Sequence, residues 1–192
     1  MNLKRLALLY HKIRFTLIVD GCKRAEYLRK HQLLKEIGEN CMYQSRNFPM
    51  DPKMVKIHDN VTIAADVTFC THDAIRHMLY FRDYGQYVPH LGCIEVEQNV
   101  FIGIGSIIMP NVHIGKDSII AAGSLVLRDV HPGTVVGGVP AKVIGDFERL
   151  HAARILEGQE LHGLTQTQLE ELIWARFNIK TAQSQSNIIS GE

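Results

Sequence analysis

Between residues 96 and 130, an aliphatic side chain returns at every sixth position of the chain. Three positions after each aliphatic residue stands Asn, Asp or Gly, which tolerate a left-handed backbone, and the next position holds Val or Ser. An amphipathic helix would repeat every 3.6 residues, and a hairpin stack would alternate every two. The hexads therefore predict a parallel β-helix, in which every short strand pairs with the coils above and below it. The three columns are Val96, Ile102, Ile108, Ile114, Ile120 and Val126; Asn99, Gly105, Asn111, Asp117, Gly123 and Asp129; and Val100, Ser106, Val112, Ser118, Ser124 and Val130.

The β-helix is predicted to occupy residues 37–145, with helical segments before and after it. Residues 3–36 have leucines and isoleucines at helical spacing, so we expect residues 1–36 to cap the open end of the solenoid. Their predicted basic outer face is also compatible with peripheral contact to a membrane surface. Residues 146–192 predict a C-terminal helical extension and a polar tail, with a capping box at Thr165–Gln168 or at Thr167–Glu170. The basic face consists of Lys23, Arg24, Arg29, Lys30 and Lys35.

The hexads break at one position, where a corner residue is replaced by histidine. The two preceding corners hold Asn60 and Asp66, but the third holds His72, and residues 73–95 are aromatic and basic without a repeat. Solenoids carry insertions as loops on one face, which is often the binding face. The sequence therefore predicts a functional loop excursion over residues 73–95, beginning beside His72.

The run IGIGSIIMPNVHIGKDSIIAAGSLVLRDVHPGTVVGGVPAKVI resembles the hexapeptide-repeat acyltransferases, most closely their sugar and capsular-polysaccharide O-acetyltransferase branch. The resemblance implies a mainly β protein built as a left-handed parallel β-helix, shaped as a triangular prism with three hexads per coil. It also implies a homotrimer that transfers an acetyl group from acetyl-CoA to a carbohydrate hydroxyl. With three hexads per coil, His72, Asn111 and Asp129 should lie along one edge of the prism.

A sugar hydroxyl attacks a thioester poorly until its proton is removed, and histidine suits that task near neutral pH. His72, in the sequence Thr-His-Asp, matches the position of the family's catalytic base. Asp73 is a candidate for holding the imidazole in the correct tautomer, although it could equally cap the loop. Further residues of the excursion could line an acceptor pocket or contact another subunit. They are Arg76, His77, Tyr80, Arg82, Tyr84, Tyr87 and His90.

The resemblance also implies a coenzyme groove between neighbouring prisms, lined by residues of GIGS, AAGS, LRD and PAK. Small residues there would let the pantetheine arm approach the backbone, and Arg128 and Lys142 suit the coenzyme's phosphates, although both could be solvated surface charges. The chain departs from the family pattern at Leu127, where Thr is common, and at Gly145, where Arg is common. The predicted coenzyme-binding residues are Gly103, Ile104, Ala121, Ala122, Leu127, Arg128 and Lys142.

Composition narrows the range of partners and compartments. Lys and Arg total 21 against 20 Asp and Glu, so no overall charge favours nucleic acid. The four cysteines are widely spaced and no cleavable signal pattern precedes them, from which we expect a reducing cytoplasmic location. The apolar stretch over residues 3–19 is interrupted by four cations and is too short to span a membrane.

Three alternatives to O-acetylation follow from the same residues. An amino sugar would make the enzyme an N-acetyltransferase, and a degenerate groove would make the protein a non-catalytic scaffold. The spacing of His72 and His77 resembles a ligand pair of the γ-carbonic-anhydrase type of zinc enzyme. A catalytic zinc needs three protein ligands, however, and no third histidine stands near residue 36, where that type would have it. We therefore expect no metal.

Overall fold

The computed structural model describes the backbone of residues 3–190 and the side chains of residues 6–181. Its helices are α1 (Leu3–Leu17), α2 (Gly21–Lys30), α3 (Ile75–Asp83), α4 (Phe147–Leu161) and α5 (Gln166–Ser190), and a short 3-10 turn spans Pro52–Met54. Its strands are β1 (Glu36–Ile37), β2 (Met42–Tyr43), β3 (Val55–Ile57), β4 (Thr62–Ile63), β5 (Thr68–Phe69), β6 (Ile94–Val96), β7 (Phe101–Ile102), β8 (Ile107–Ile108), β9 (Val112–Ile114), β10 (Ile119–Ile120), β11 (Leu125–Val126), β12 (Thr134–Gly137) and β13 (Lys142–Asp146).

The strands form three sheets, and successive strands of the hexad region visit the three sheets in turn. Sheet A has the order β1-β3-β6-β9, sheet B has β13-β12-β10-β7-β4-β2, and sheet C has β11-β8-β5. Every strand pair is parallel except β12 with β13. Ile102 pairs with Ile120, so one coil contains three hexads in the regular region. The predicted parallel β-helix is confirmed.

The core follows the hexad pattern. The six aliphatic residues from Val96 to Val126 are at most 1% exposed, and the Val and Ser residues of the third column are also buried. Five of the six predicted corners have positive φ, as do the earlier corners Asn40, Asn60 and Asp66. Asp129 is the exception: its carboxylate accepts a hydrogen bond from the His113 amide at 2.8 Å, at the point where the hexads end.

The N-terminal helices pack on the first coil. Asp20 caps α2 by accepting the Lys23 amide at 2.8 Å, and α2 lies against β1 and β2. Phe15 of α1 and Leu28 of α2 are fully buried in the core.

Arg24 does not belong to an exposed basic face, and that part of the prediction is wrong. Its side chain is buried, with only 3% of the residue exposed. The guanidinium donates to backbone carbonyls of the α1–α2 connection and of the chain at and just after β2, because a buried cation needs hydrogen-bond partners. The acceptors are the carbonyls of Ile18 (2.6 Å), Val19 (2.9 Å), Tyr43 (3.0 Å), Ser45 (3.3 Å) and Gln44.

The excursion contains a helix that the sequence pattern did not predict. Helix α3 ends at Asp83 and is capped by Tyr84, which has a φ of 55°. An antiparallel bridge between His72 and Leu91 closes the base of the loop. The apolar residues of α3 are largely exposed, so this helix has no buried stripe that a periodicity argument could detect.

After the hexads, the chain forms a hairpin of two strands. Strand β12 continues sheet B by pairing with β10, and β13 returns antiparallel to it. The Val139–Pro140 peptide bond between them is cis.

Residues 150–192 form a second compact unit, separate from residues 1–149. The capping box lies at Thr165–Gln168: the Gln168 amide donates to Thr165 Oγ1 at 3.3 Å, and the Thr165 amide donates to Gln168 Oε1 at 2.9 Å. Helix α5 continues to Ser190, through most of the stretch predicted as a polar tail, and Gly191 and Glu192 lie outside the described residues. Within residues 3–190, no helix is both long and apolar enough to cross a membrane.

Candidate active site

His72 lies at the edge between sheets C and A, directly after β5. Phe69 pairs with Ile108, and Ile108 pairs with Val126. The residues three positions further on, His72, Asn111 and Asp129, therefore follow equivalent strands at the same edge, as predicted. Thr71 is fully buried, whereas one third of the His72 side chain is exposed.

The partner of the His72 ring is Asp51. Asp51 Oδ2 lies 2.5 Å from His72 Nδ1 and also accepts a hydrogen bond from Thr71 Oγ1 at 2.9 Å. A hydrogen bond from Nδ1–H to the carboxylate assigns the tautomer in which Nε2 carries no proton. This arrangement leaves Nε2 able to accept a proton.

The Asp51 carboxyl has competing influences on its pKa. Partial burial disfavours the charged form, but the hydrogen bonds from His72 and Thr71 outweigh it and hold the pKa below its ordinary value. Asp51 is therefore a carboxylate throughout the neutral range, and it stabilises positive charge on the His72 imidazole.

Asp73 does not orient the His72 ring, so this half of the sequence hypothesis is corrected. Its Oδ1 accepts a hydrogen bond from the Ile75 amide at 3.0 Å, at the start of α3. This is the loop-capping role that the sequence left open for Asp73.

The passage between β2 and β3 positions Asp51. Ser45 Oγ donates to the Val67 carbonyl at 2.9 Å, and the Tyr43 hydroxyl donates to the Asn47 carbonyl at 3.1 Å. Phe48 packs edge-on against Phe15 of α1, with ring centroids 5.4 Å apart. Side chains of the first coil and of the N-terminal helix thus anchor the segment that leads to Asp51.

The His72–Asp51 pair forms part of the wall of a cavity of about 730 Å³. Four of the excursion residues predicted for an acceptor pocket line this cavity, namely Arg76, His77, Tyr80 and Tyr87. The other three, Arg82, Tyr84 and His90, are not among its lining residues. The remaining lining residues are Asp73, Ala74, Pro89 and Leu91.

The predicted coenzyme-binding residues fall into two groups. Leu127, Arg128 and Lys142 line a second cavity, of about 410 Å³, together with Asp129 and with apolar residues that include Val126 and Val143. Two cations beside an apolar wall suit a ligand with phosphates and an aliphatic arm.

The second group lies at the preceding corner, between sheets B and C. It consists of Gly103 and Ile104 in one coil and Ala121 and Ala122 in the next. A Cβ on Gly103 would lie 2.5 Å from the Ala122 backbone nitrogen, so only glycine fits this approach between coils. Strand β11 of sheet C joins this corner to the one that holds Arg128.

A family model matches the hexad region of this chain, and several known proteins are similar to longer parts of it. The family model for bacterial transferase hexapeptide (six repeats) matches residues 94–128. Protein CapG of Staphylococcus aureus is 36% identical over 128 residues, which cover 65% of this chain and 73% of CapG. Galactoside O-acetyltransferase of Escherichia coli K12 is 40% identical over 113 residues, covering 58% of this chain and 53% of that protein. The chain spans about half the length of several curated relatives that it matches.

Among solved structures, a galactoside acetyltransferase in complex with coenzyme A superposes with a TM-score of 0.55 and 26% identity. The match covers 75% of this chain and 80% of that one. Together with the match to CapG and the hexads, it shows that this chain belongs to the hexapeptide-repeat transferase family.

Proposed function

We propose that this protein transfers an acetyl group from acetyl-CoA to a hydroxyl of a carbohydrate, with His72 as the general base. The observation that carries the proposal is the His72–Asp51 pair in the wall of the larger cavity. The relatives support the reaction type, since they include a galactoside O-acetyltransferase and a galactoside acetyltransferase in complex with coenzyme A.

In this proposal, His72 Nε2 takes the proton of the acceptor hydroxyl as its oxygen attacks. Acetyl-CoA, when bound, supplies the acetyl thioester, so a C–O bond forms, a C–S bond breaks, and the products are the acetyl ester and the free thiol. Asp51 stabilises the imidazolium and holds Nε2 towards the acceptor. His72 then returns the proton to the departing sulfur. Tyr80, Tyr87 and Arg76 offer aromatic faces and a charged donor for the sugar.

We further propose a left-handed triangular prism assembled as a homotrimer, with acetyl-CoA in the groove between neighbouring prisms. Arg128 and Lys142 would bind its phosphates, and the small residues of the adjoining corner would let its pantetheine arm approach the backbone. The exposure of Phe101 and Ile107 supports the proposed contact with a neighbouring copy. These outward-facing apolar side chains of β7 and β8 are about 40% exposed in the single chain.

The reaction is tested by incubating the purified protein with acetyl-CoA and a panel of sugars, nucleotide sugars and oligosaccharide repeat units. We expect at least one hydroxyl acceptor to accelerate release of the coenzyme thiol and to yield an alkali-labile acetyl ester. An alkali-stable amide as the only product would instead identify an N-acetyltransferase. If no acceptor in a broad panel increases thiol release, the proposed reaction is wrong.

The coenzyme site is tested by Arg128→Ala and Lys142→Ala. Each substitution removes a cation expected to bind phosphate, so we expect the KM for acetyl-CoA to rise about tenfold, with kcat largely retained. Steady-state kinetics with varied acetyl-CoA measure this effect. Lys116→Ala is the matched control, because Lys116 is an exposed cation at a different corner of the coil. An equal KM in all three variants and the wild type would exclude Arg128 and Lys142 from the site.

A further inference from the structure

Helix α1 has apolar side chains on two opposite faces. Phe15 is fully buried and packs against Tyr43 and Phe48, with ring centroids 5.5 and 5.4 Å away. On the other face, five large apolar residues are between 48% and 69% exposed. They recur at helical spacing and form one continuous strip, which we call the α1 apolar stripe. It consists of Leu6, Leu9, Tyr10, Ile13 and Leu17.

The segment that carries the stripe is uniformly basic. The first 19 residues contain Lys4, Arg5, Lys12 and Arg14, and the first acidic residue of the chain is Asp20. Arg14 is exposed on α1, and α2 adds the exposed cations Lys23 and Lys30 beside one exposed carboxylate, Glu26. Among the first 19 residues, every charged side chain is a cation. A hydrophobic strip beside such charges is complementary to a bilayer that has an apolar interior and anionic headgroups.

We propose that the α1 apolar stripe inserts into the surface of an anionic lipid bilayer, with α1 lying in the plane of the membrane. None of the helices within residues 3–190 is suited to crossing a bilayer, so the contact would be peripheral. Charge favours lipid over a second copy of the chain, because two copies of α1 face to face would bring like charges together. The proposal goes beyond acetyl transfer and does not depend on His72 or on the identity of the acceptor.

The test is co-sedimentation of the full chain with vesicles of phosphatidylcholine alone and of phosphatidylcholine with phosphatidylglycerol. We expect binding to the anionic vesicles, weakened by salt, and much weaker binding to the neutral ones. Leu9→Glu/Ile13→Glu should lower the bound fraction about tenfold or more, since it places two carboxylates in the stripe. Leu156→Glu/Ile179→Glu is the matched control: it makes the same change in charge at two residues that are 67% and 60% exposed, and should bind like the wild type.

Thermal unfolding and light scattering accompany the binding measurement. The proposal is supported if the stripe variant has the wild-type unfolding temperature and mass but has lost vesicle binding. It is overturned if both double variants bind as well as the wild type, or if the wild type does not bind anionic vesicles. If the wild type does not bind vesicles and the stripe variant has a different oligomeric mass, the stripe is instead a contact between copies.

Discussion

His72→Ala should lower kcat by about 10²–10⁴-fold, the usual contribution of a positioned general base. The loss follows because the alanine side chain has no group in place of Nε2 to take the hydroxyl proton. Acetyl-CoA should still bind with unchanged affinity, since none of the residues proposed for the coenzyme lines the cavity of His72, and Leu127, Arg128 and Lys142 line a separate one. Steady-state kinetics measure the first effect, and calorimetric titration with acetyl-CoA measures the second.

His90→Ala provides the control for this substitution. His90 is an exposed histidine of the same excursion and does not line the cavity, so its loss should leave kcat and KM near wild-type values. Near wild-type turnover in His72→Ala would rule out the base assignment. Equal damage from both substitutions would indicate disruption of the loop rather than loss of a base.

Asp51→Asn should lower kcat by about 10²–10⁴-fold, while the KM for the acceptor changes little. The amide keeps the shape of the carboxyl group but loses the charge that stabilises imidazolium, and its NH₂ group can favour the wrong tautomer of His72. Asp73→Asn is the matched control, because it makes the same chemical change in the adjacent candidate, which caps Ile75. A larger loss of kcat in Asp73→Asn than in Asp51→Asn would restore Asp73 as the orienting group.

The Asp51 interaction also has a defined pH dependence. The hydrogen bonds from His72 and Thr71 outweigh partial burial and depress the pKa of the Asp51 carboxyl, so its contribution to stability is present above the unfolded-state value of about 3.9. That contribution is lost as the pH falls through the lower folded-state pKa. Asp51→Asn should therefore destabilise the protein at neutral pH and bring it closer to the wild type in acid, as measured by urea unfolding at several pH values.

The regular coils could be predicted from the sequence because each hexad contains the residues that its strand and its corner require. One inward aliphatic residue, one corner and one small residue recur without exception between residues 96 and 130, and the structure departs only at Asp129. His72 could be noticed for the same reason, since it occupies a position that the repeat assigns to Asn, Asp or Gly.

Asp51 could not be found by that route, because it lies where the repeat is absent. Its position near His72 depends on how the coils align. Val55 pairs with Ile94, so the residues just before Val55 lie near the residues just before Ile94, where the excursion that begins at His72 rejoins sheet A. Only the alignment of the coils brings Asp51 close to His72. The burial of Arg24 is hidden for a different reason, since a guanidinium that binds backbone carbonyls has no oppositely charged partner in the sequence pattern.

Arg24 makes one member of the His72–Asp51 pair depend on the N-terminal helices. Its guanidinium donates to the carbonyls of Tyr43, Gln44 and Ser45. Between these residues and Asp51 the chain contains no regular hexad that would determine its conformation. His72 follows β5, a strand of the repeat, whereas Asp51 lies in the segment between β2 and β3, which Arg24 ties to α2. A version of this protein trimmed to its hexads would thus keep His72 and the coils but lose the restraint on the segment that carries Asp51, so in the proposed mechanism the N-terminal helices help to position the carboxylate.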